Sequence, residues 1–91
     1  MNLIEQIDNK LERMTVVLRA CGNDNWADAI QNVRCELLND RSTARTKVFS
    51  MYGGMGSLND LVLYKNGNPM IKENIEFDGL RSELYNLCQS L

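Results

Sequence analysis

Apolar residues recur at helical spacing along most of the chain. In the first segment they alternate in steps of three and four, which places them on one stripe of a helix: Ile4, Ile7, Leu11, Met14, Leu18 and Cys21. Asn2 is a candidate N-cap, and Gly22 directly follows the stripe, where a C-terminal glycine is common. The pattern therefore predicts a first helix of about five turns.

The apolar pattern restarts immediately after Gly22. Asp24 or Asn25 is the natural N-cap of this second helix, and Asp28 lies in its first turn, where the helix dipole favours an acid. Asn39-Asp40 interrupts the pattern. The inward stripe is predicted to be Trp26, Ile30, Val33 and Leu37, widened by Ala29 and Leu38.

A third, shorter helix is predicted after an N-cap at Asp40 or Ser42. Gly53 and Gly54 are expected to end this helix, because glycine reaches the left-handed conformation without a steric penalty. Its stripe is Ala44, Val48, Met51 and Met55, with Phe49 and Tyr52 on a flank.

The periodicity changes between Leu58 and Ile71. Asn66-Gly67 is the strongest short signal for a hairpin turn, and it joins a short apolar run ending at Tyr64 to a return arm that begins at Pro69. Because proline cannot donate a ladder hydrogen bond, any strand here is short or lies at an edge. The alternative is a helix that continues from Leu61 to Tyr64.

The last segment predicts a fourth amphipathic helix, which completes a single domain over residues 1–91. Gly79 lies inside this helix at a cost of about 1 kcal/mol relative to alanine, and we expect a neighbouring backbone to approach it closely. The expected fold is a small, all-α or mostly α four-helix domain, with a possible short β-ribbon between helices three and four. The stripe of the fourth helix is Phe77, Leu80, Leu84, Leu87 and Leu91.

Composition narrows the possible functions. The net charge of −2 over 91 residues does not favour a nucleic-acid binder. The start of the chain lacks the pattern of a signal peptide, and the sequence has no apolar run of 18 residues, so we expect a cytoplasmic protein without a membrane span. Three widely spaced cysteines favour reduced thiols that act as small hydrophobic residues: Cys21, Cys35 and Cys88.

The residue types argue against catalysis and against a bound metal. The chain has no histidine, the commonest general base and a common metal ligand. The cysteine spacings of 14 and 53 match no zinc signature, and no acid pair is singled out by its spacing. We therefore expect no enzyme activity and no cofactor.

The glycine-rich stretch "GGMGSLND" has two interpretations. A phosphate loop would aim backbone N–H groups at an anion, but the lysine of that motif is absent. A structural turn explains the pattern better, with the side chains of Asn59 and Asp60 bonded to nearby backbone amides. The predicted turn residues are Gly53, Gly54, Met55, Gly56, Asn59 and Asp60.

The same stretch, together with the amphipathic helix that follows, resembles a group of small bacterial proteins of unknown function. These carry a Gly-Gly-Met-Gly-Ser-x-Asn-Asp-Leu core after a helix, and the similarity covers Gly53 to Leu63 closely. Small proteins of this type are similar in size and style to immunity proteins encoded beside bacterial toxins. The resemblance implies a protein partner rather than a reaction.

These observations predict a non-catalytic, protein-binding domain, in its most specific form an immunity protein that neutralises a cognate toxin. An acidic last helix would complement the basic cleft of a toxin that acts on nucleic acid. Its expected contacts are Glu73, Glu76, Phe77 and Glu83. The alternative is a small regulatory or nucleic-acid-binding module that uses Arg41, Arg45 and Lys47. A homodimer that forms through an apolar face is a further alternative.

Overall fold

The fold is mostly helical, as the sequence predicts. The computed structural model describes residues 2–53 and 56–91, and in these ranges it contains four α-helices. A single 3-10 turn and a two-stranded antiparallel ribbon lie between the third and fourth helices. The elements are α1 (Leu3–Ala20), α2 (Asp24–Asn39), α3 (Arg41–Ser50), the 3-10 turn (Leu58–Asp60), β1 (Tyr64–Lys65), β2 (Asn68–Pro69) and α4 (Ile71–Gln89).

The core forms around α1, which packs against both α2 and α4, while α3 packs against α2 and α4. Each helix contributes the inward stripe of its amphipathic pattern, and the loop before the ribbon adds Leu58 and Leu63. Burial of these side chains is the main stabilising term in a helical domain of this size. The largest fully buried side chains include Phe77, Ile7, Leu11, Met14, Leu18 and Ile30.

Both predicted caps of α1 are confirmed. The Asn2 side chain accepts a hydrogen bond from the Glu5 amide at 2.8 Å. At the other end Gly22 has φ +76°, and its amide donates to the Arg19 carbonyl. The next amide donates to the Leu18 carbonyl at 2.8 Å, which completes a Schellman motif.

The second helix differs from the prediction at three places. It begins at Asp24, so its N-cap is Asn23, and this side chain makes no capping bond. Asp28 therefore lies beyond the first turn, which holds Asp24 as its acidic residue. Leu38 is 80% exposed, because it lies about 100° around the helix from the buried Leu37; its assignment to the inward stripe was wrong.

The third helix starts as predicted and ends earlier. The Asp40 carboxylate accepts a hydrogen bond from the Thr43 amide at 3.2 Å and caps the helix. The helix stops at Ser50 with Met51 as its C-cap, so Gly53 lies beyond the helix end and does not terminate it. The Met51 carbonyl instead accepts from the Leu58 amide at 2.7 Å, which turns the chain into the following loop.

The ribbon is shorter than the apolar run that predicted it. Asn66 and Gly67 both have positive φ, 54° and 79°, as a type I′ hairpin turn requires. β1 and β2 pair Tyr64 with Pro69 in an antiparallel register. Residues 61–63 are neither helix nor strand, so the alternative of a helix through Tyr64 is wrong.

Two smaller expectations also need correction. Gly79 of α4 is exposed, and a Cβ at this position would meet only the Glu83 carboxylate at 3.9 Å, so no backbone approaches it closely. Cys21 and Cys88 are buried as small hydrophobic residues, but Cys35 is exposed. Within residues 2–53 and 56–91, no helix has the length and apolar character that a membrane crossing requires.

Candidate binding groove

Arg81 on α4 holds the loop that follows α3. One nitrogen of its guanidinium donates to three carbonyls of this loop, those of Leu58 at 2.6 Å, Asn59 at 3.0 Å and Leu61 at 3.1 Å. The other terminal nitrogen pairs with the Asp78 carboxylate one turn earlier. Burial lowers the pKa of Arg81 from its ordinary value. The Arg81 side chain thus bonds to two carbonyls of the 3-10 turn and to the carbonyl of the residue that follows it.

The predicted turn residues fasten the loop to itself. Gly56 has φ +71°, and its amide donates to the Asp60 carboxylate at 3.2 Å. The Asn59 side chain donates to the Tyr52 carbonyl at 3.0 Å, so it binds a backbone carbonyl rather than the expected amide. Gly53 is exposed and outside the positive-φ region. The predicted roles of Gly54 and Met55 lie outside the described residues.

This arrangement gives the phosphate interpretation no support. A phosphate-binding loop keeps its amide donors free for the anion, whereas here the Asp60 carboxylate already accepts from the Gly56 amide. The guanidinium of Arg81 is bound to loop carbonyls and to Asp78. In the described part of the loop, the Gly56 amide and the Arg81 guanidinium are thus both engaged within the domain.

The supported loop forms one wall of an open groove of about 610 Å³ between α3 and α4. We call it the aromatic groove, because Phe49, Tyr52 and Tyr85 make up its apolar lining. The rest of its lining comprises Gly53, Asn59, Arg81, Ser82 and Asn86. Its volume falls in the range of ligand-binding clefts, while its lining combines three aromatic rings with a comparable polar surface.

The aromatic side chains of the groove are fixed by their mutual contacts. The rings of Phe49 and Tyr85 meet edge to face, with centroids 5.2 Å apart and an interplanar angle of 79°. The ring centroids of Tyr52 and Tyr85 also lie 5.2 Å apart, and the Tyr52 hydroxyl donates to the Arg81 carbonyl at 2.8 Å. Burial raises the pKa of the Tyr52 phenol well above its usual value. Tyr85 stays 39% exposed and faces the groove opening.

The acidic residues predicted as partner contacts are largely engaged within the domain. Glu76 forms a two-point ion pair with Arg13 of α1, and this pairing lowers the pKa of the Glu76 carboxyl. Glu83 pairs with Lys10, also on α1. Glu73 is half-buried at the start of α4. These acids mainly connect α4 to α1.

Phe77 cannot serve as the predicted surface contact. Its side chain is 0% exposed, because it lies on the apolar stripe of α4 that faces the core. The guanidinium of Arg81 lies 5.3 Å from its ring centroid. The prediction of Phe77 as a partner-binding residue was therefore wrong.

The three basic residues of α3 do not act as one unit. Lys47 lies 3.9 Å from the Glu36 carboxylate. Arg45 stacks on Phe49, with its guanidinium carbon 4.8 Å from the ring centroid, and donates to the Cys88 carbonyl at 3.2 Å. Arg41 is exposed one turn earlier, near the start of α1. Arg45 thus contacts Phe49, which lines the aromatic groove, without being part of the lining itself.

Among the described residues, no group of three or more Cys, Asp and Glu side chains is placed to hold a metal ion. The described part of the chain also brings no acid pair into the aromatic groove, whose lining carries no carboxylate.

The sequence analysis missed both the groove and Arg81. Phe49 and Tyr52 appeared only as the flank of the third helix, and Tyr85 carried no periodic signal. The available hint was an arginine on a helix face that follows a turn rich in glycine and asparagine, where carbonyls lack partners. That hint does not indicate which carbonyls the side chain reaches.

Comparison with known proteins places the chain in one family. Residues 19–71 match a domain of unknown function, DUF6966, and since this is more than half of the chain, the chain belongs to that family. The match runs from the end of α1 to the start of α4, so it includes Phe49, Tyr52 and the glycine-rich loop but not residues 81–86. No curated protein and no solved structure matches the chain.

Proposed function

We propose that the chain is a non-catalytic, protein-binding domain whose docking site is the aromatic groove. The observation that carries this proposal is the exposed Tyr85 beside Phe49 and Tyr52 in an open cleft. Aromatic side chains and arginine are enriched among the residues that dominate protein interfaces. Rings already fixed by their neighbours lose little conformational freedom on binding, which favours affinity.

The outward face of α4 extends this docking site. Ile71 and Ile75 are 71% and 70% exposed and lie one turn apart. Ser82 follows Ile75 by seven residues, which places it on the same side of the helix. A partner seated in the groove would therefore also reach these isoleucines, and exposed apolar patches of this kind mark interaction sites.

Peptide selection tests the proposal directly. Random 12-residue peptides displayed on phage would be selected on the immobilised domain, and their affinities compared across variants. Ser82→Trp fills the groove and Tyr85→Ala removes its exposed ring, so each should weaken binding about tenfold or more. Val16→Ala is the matched control, because Val16 is a half-exposed apolar residue on α1, outside the groove lining.

Two outcomes would overturn the docking site. In the first, no peptide is enriched above background. In the second, the enriched peptides bind Ser82→Trp, Tyr85→Ala and Val16→Ala equally well. Circular dichroism of each variant shows whether the fold is retained.

The more specific form of the proposal is an immunity protein with a cognate bacterial toxin as its partner. The resemblance of the glycine-rich stretch to small bacterial proteins supports this form. Co-expression with the product of the adjacent gene should yield a complex that Tyr85→Ala weakens. If the two proteins elute separately and the neighbouring gene product is not toxic, the immunity role is refuted. The proposal of a protein-binding groove would still hold.

A further inference from the structure

We infer that the aromatic groove selects a protein segment that carries an apolar anchor side chain next to a carboxylate. This inference rests on the proposed function and adds the chemistry of the partner. It follows from the distribution of charge around the groove rather than from its shape.

The lining of the groove carries a cation but no anion. Arg81 is its one charged member among the described residues, and no aspartate or glutamate is part of the lining. The Asp78 carboxylate pairs with Arg81 from one side, so the lining itself is close to neutral and suits an apolar anchor.

Arg45, which contacts the groove-lining Phe49, carries a positive charge without a carboxylate partner in the described ranges. Arg41, Lys65 and Lys72 also lack such a partner there. Six basic residues have carboxylate partners within the described ranges: Lys10, Arg13, Arg19, Arg34, Lys47 and Arg81. No such ion pair involves Arg45 in the described part of the chain, and its side chain is bonded instead to the neutral Cys88 carbonyl. An exposed charge without a counter-charge beside an apolar cleft attracts an anion from solution.

Arg45 is also held in a defined orientation. Its guanidinium lies over the Phe49 ring while its Nε donates to the Cys88 carbonyl at 3.2 Å. A guanidinium has five N–H donors in a planar fork, so its terminal nitrogens keep donors for a ligand. That fork matches the two oxygens of a carboxylate. The guanidinium of Arg45 can thus donate two hydrogen bonds to a carboxylate beside the aromatic groove.

Two peptide pools separate this inference from its alternatives. Both consist of fluorescein-labelled octapeptides with leucine or tryptophan at the centre, flanked in one pool by Asp and Glu and in the other by Asn and Gln. Fluorescence anisotropy at low salt should give the acidic pool about fivefold higher affinity, as expected for one exposed ion pair. The preference should shrink as salt is raised.

Variants of α3 then assign the preference to one residue. Arg45→Gln should abolish the advantage of the acidic pool over the amide pool, and Arg45→Lys should retain part of the advantage. Arg41→Gln is the matched control, because Arg41 is an exposed arginine one turn earlier and outside the groove lining. Its removal should leave both affinities as they are.

Several results would overturn the inference. Equal affinities of the two pools would do so, and so would a preference that survives Arg45→Gln. Tighter binding of a labelled 20-nucleotide single-stranded DNA would instead assign Arg45 to a nucleic acid. If both pools bind equally and Ser82→Trp abolishes both interactions, the docking groove stands and only its charge selectivity is wrong.

Discussion

At the scale of single residues, two glycines should respond oppositely to alanine. Gly79 lies in an exposed part of α4, where a Cβ meets only the Glu83 carboxylate at 3.9 Å. Gly79→Ala should therefore raise the free energy of unfolding by about 0.5–1 kcal/mol. Gly56 has φ +71°, so Gly56→Ala should lower it by about 1 kcal/mol or more. Urea denaturation of both variants measures the two effects.

Gly53 provides the control for this pair. It belongs to the same glycine-rich stretch as Gly56 but lies outside the positive-φ region, and a Cβ there would meet nothing within 4 Å. Gly53→Ala should change the stability by less than about 0.5 kcal/mol. Destabilisation by Gly79→Ala would mean that neighbouring atoms pack against this position of α4 and leave no room for a Cβ.

Arg81 should be the most sensitive polar residue of the loop region. Arg81→Met keeps the apolar stem but removes the side-chain donor from three carbonyls, of which that of Leu58 keeps the Leu61 amide as a donor. The loss of stability should be about 1–3 kcal/mol, the cost of a buried carbonyl without a partner. Urea denaturation gives the value. Lys72→Gln, an exposed change on the same helix, should leave stability nearly unchanged, and equal effects of the two would refute this role of Arg81.

At the scale of elements, Asn74 ties the start of α4 to the loop before the ribbon. Its side chain accepts from the Leu63 amide at 2.8 Å and donates to the Leu63 carbonyl at 3.0 Å. It also donates to the Met70 carbonyl at 2.9 Å. The ribbon itself is only two residue pairs long, so this side chain supplies much of what fixes it.

Asn74→Ala should loosen one element while leaving the helices intact. The free energy of local opening should fall by about 1–3 kcal/mol, which should accelerate hydrogen exchange across residues 61–70. The neighbouring Ile75→Ala is the control, because Ile75 is 70% exposed on the outward face. Faster exchange throughout α1 and α2 would contradict a local role for Asn74.

The elements also show what the sequence could and could not predict. Local rules predict the four helices, the Asn66-Gly67 turn and the α1 caps, because each of these features depends on residues a few positions apart. Arg81 bonds to carbonyls twenty or more residues away, and periodicity carries no information on such contacts. The burial of Phe77, by contrast, follows from its place on the apolar stripe of α4, so its assignment as a partner contact conflicted with the helical pattern.

At the scale of the whole molecule, stability should fall as the solution becomes alkaline. Burial raises the pKa of the Cys88 thiol to about 11 and raises that of the Tyr52 phenol further. In the unfolded chain these groups titrate near ~8.5 and ~10. Above pH ~9 the unfolded state thus binds fewer protons than the folded state, so the free energy of unfolding decreases with rising pH.

Urea denaturation between pH 7 and pH 11, with reductant present, measures this dependence. Cys88→Ala should flatten the first part of the decrease, and Tyr52→Phe should flatten the later part. A stability that stays constant up to pH 11 would be inconsistent with protonated, buried forms of the two groups.

The double role of Arg81 limits which residues of the domain can change to give a new binding specificity. The side chain that supports the loop is also part of the groove, so changes at this residue affect fold and binding together. Ser82 and Asn86 line the same groove from exposed positions of α4. Substitutions at these two positions can alter partner choice at little cost to folding, so related domains could acquire new specificities through α4 while the loop keeps its composition.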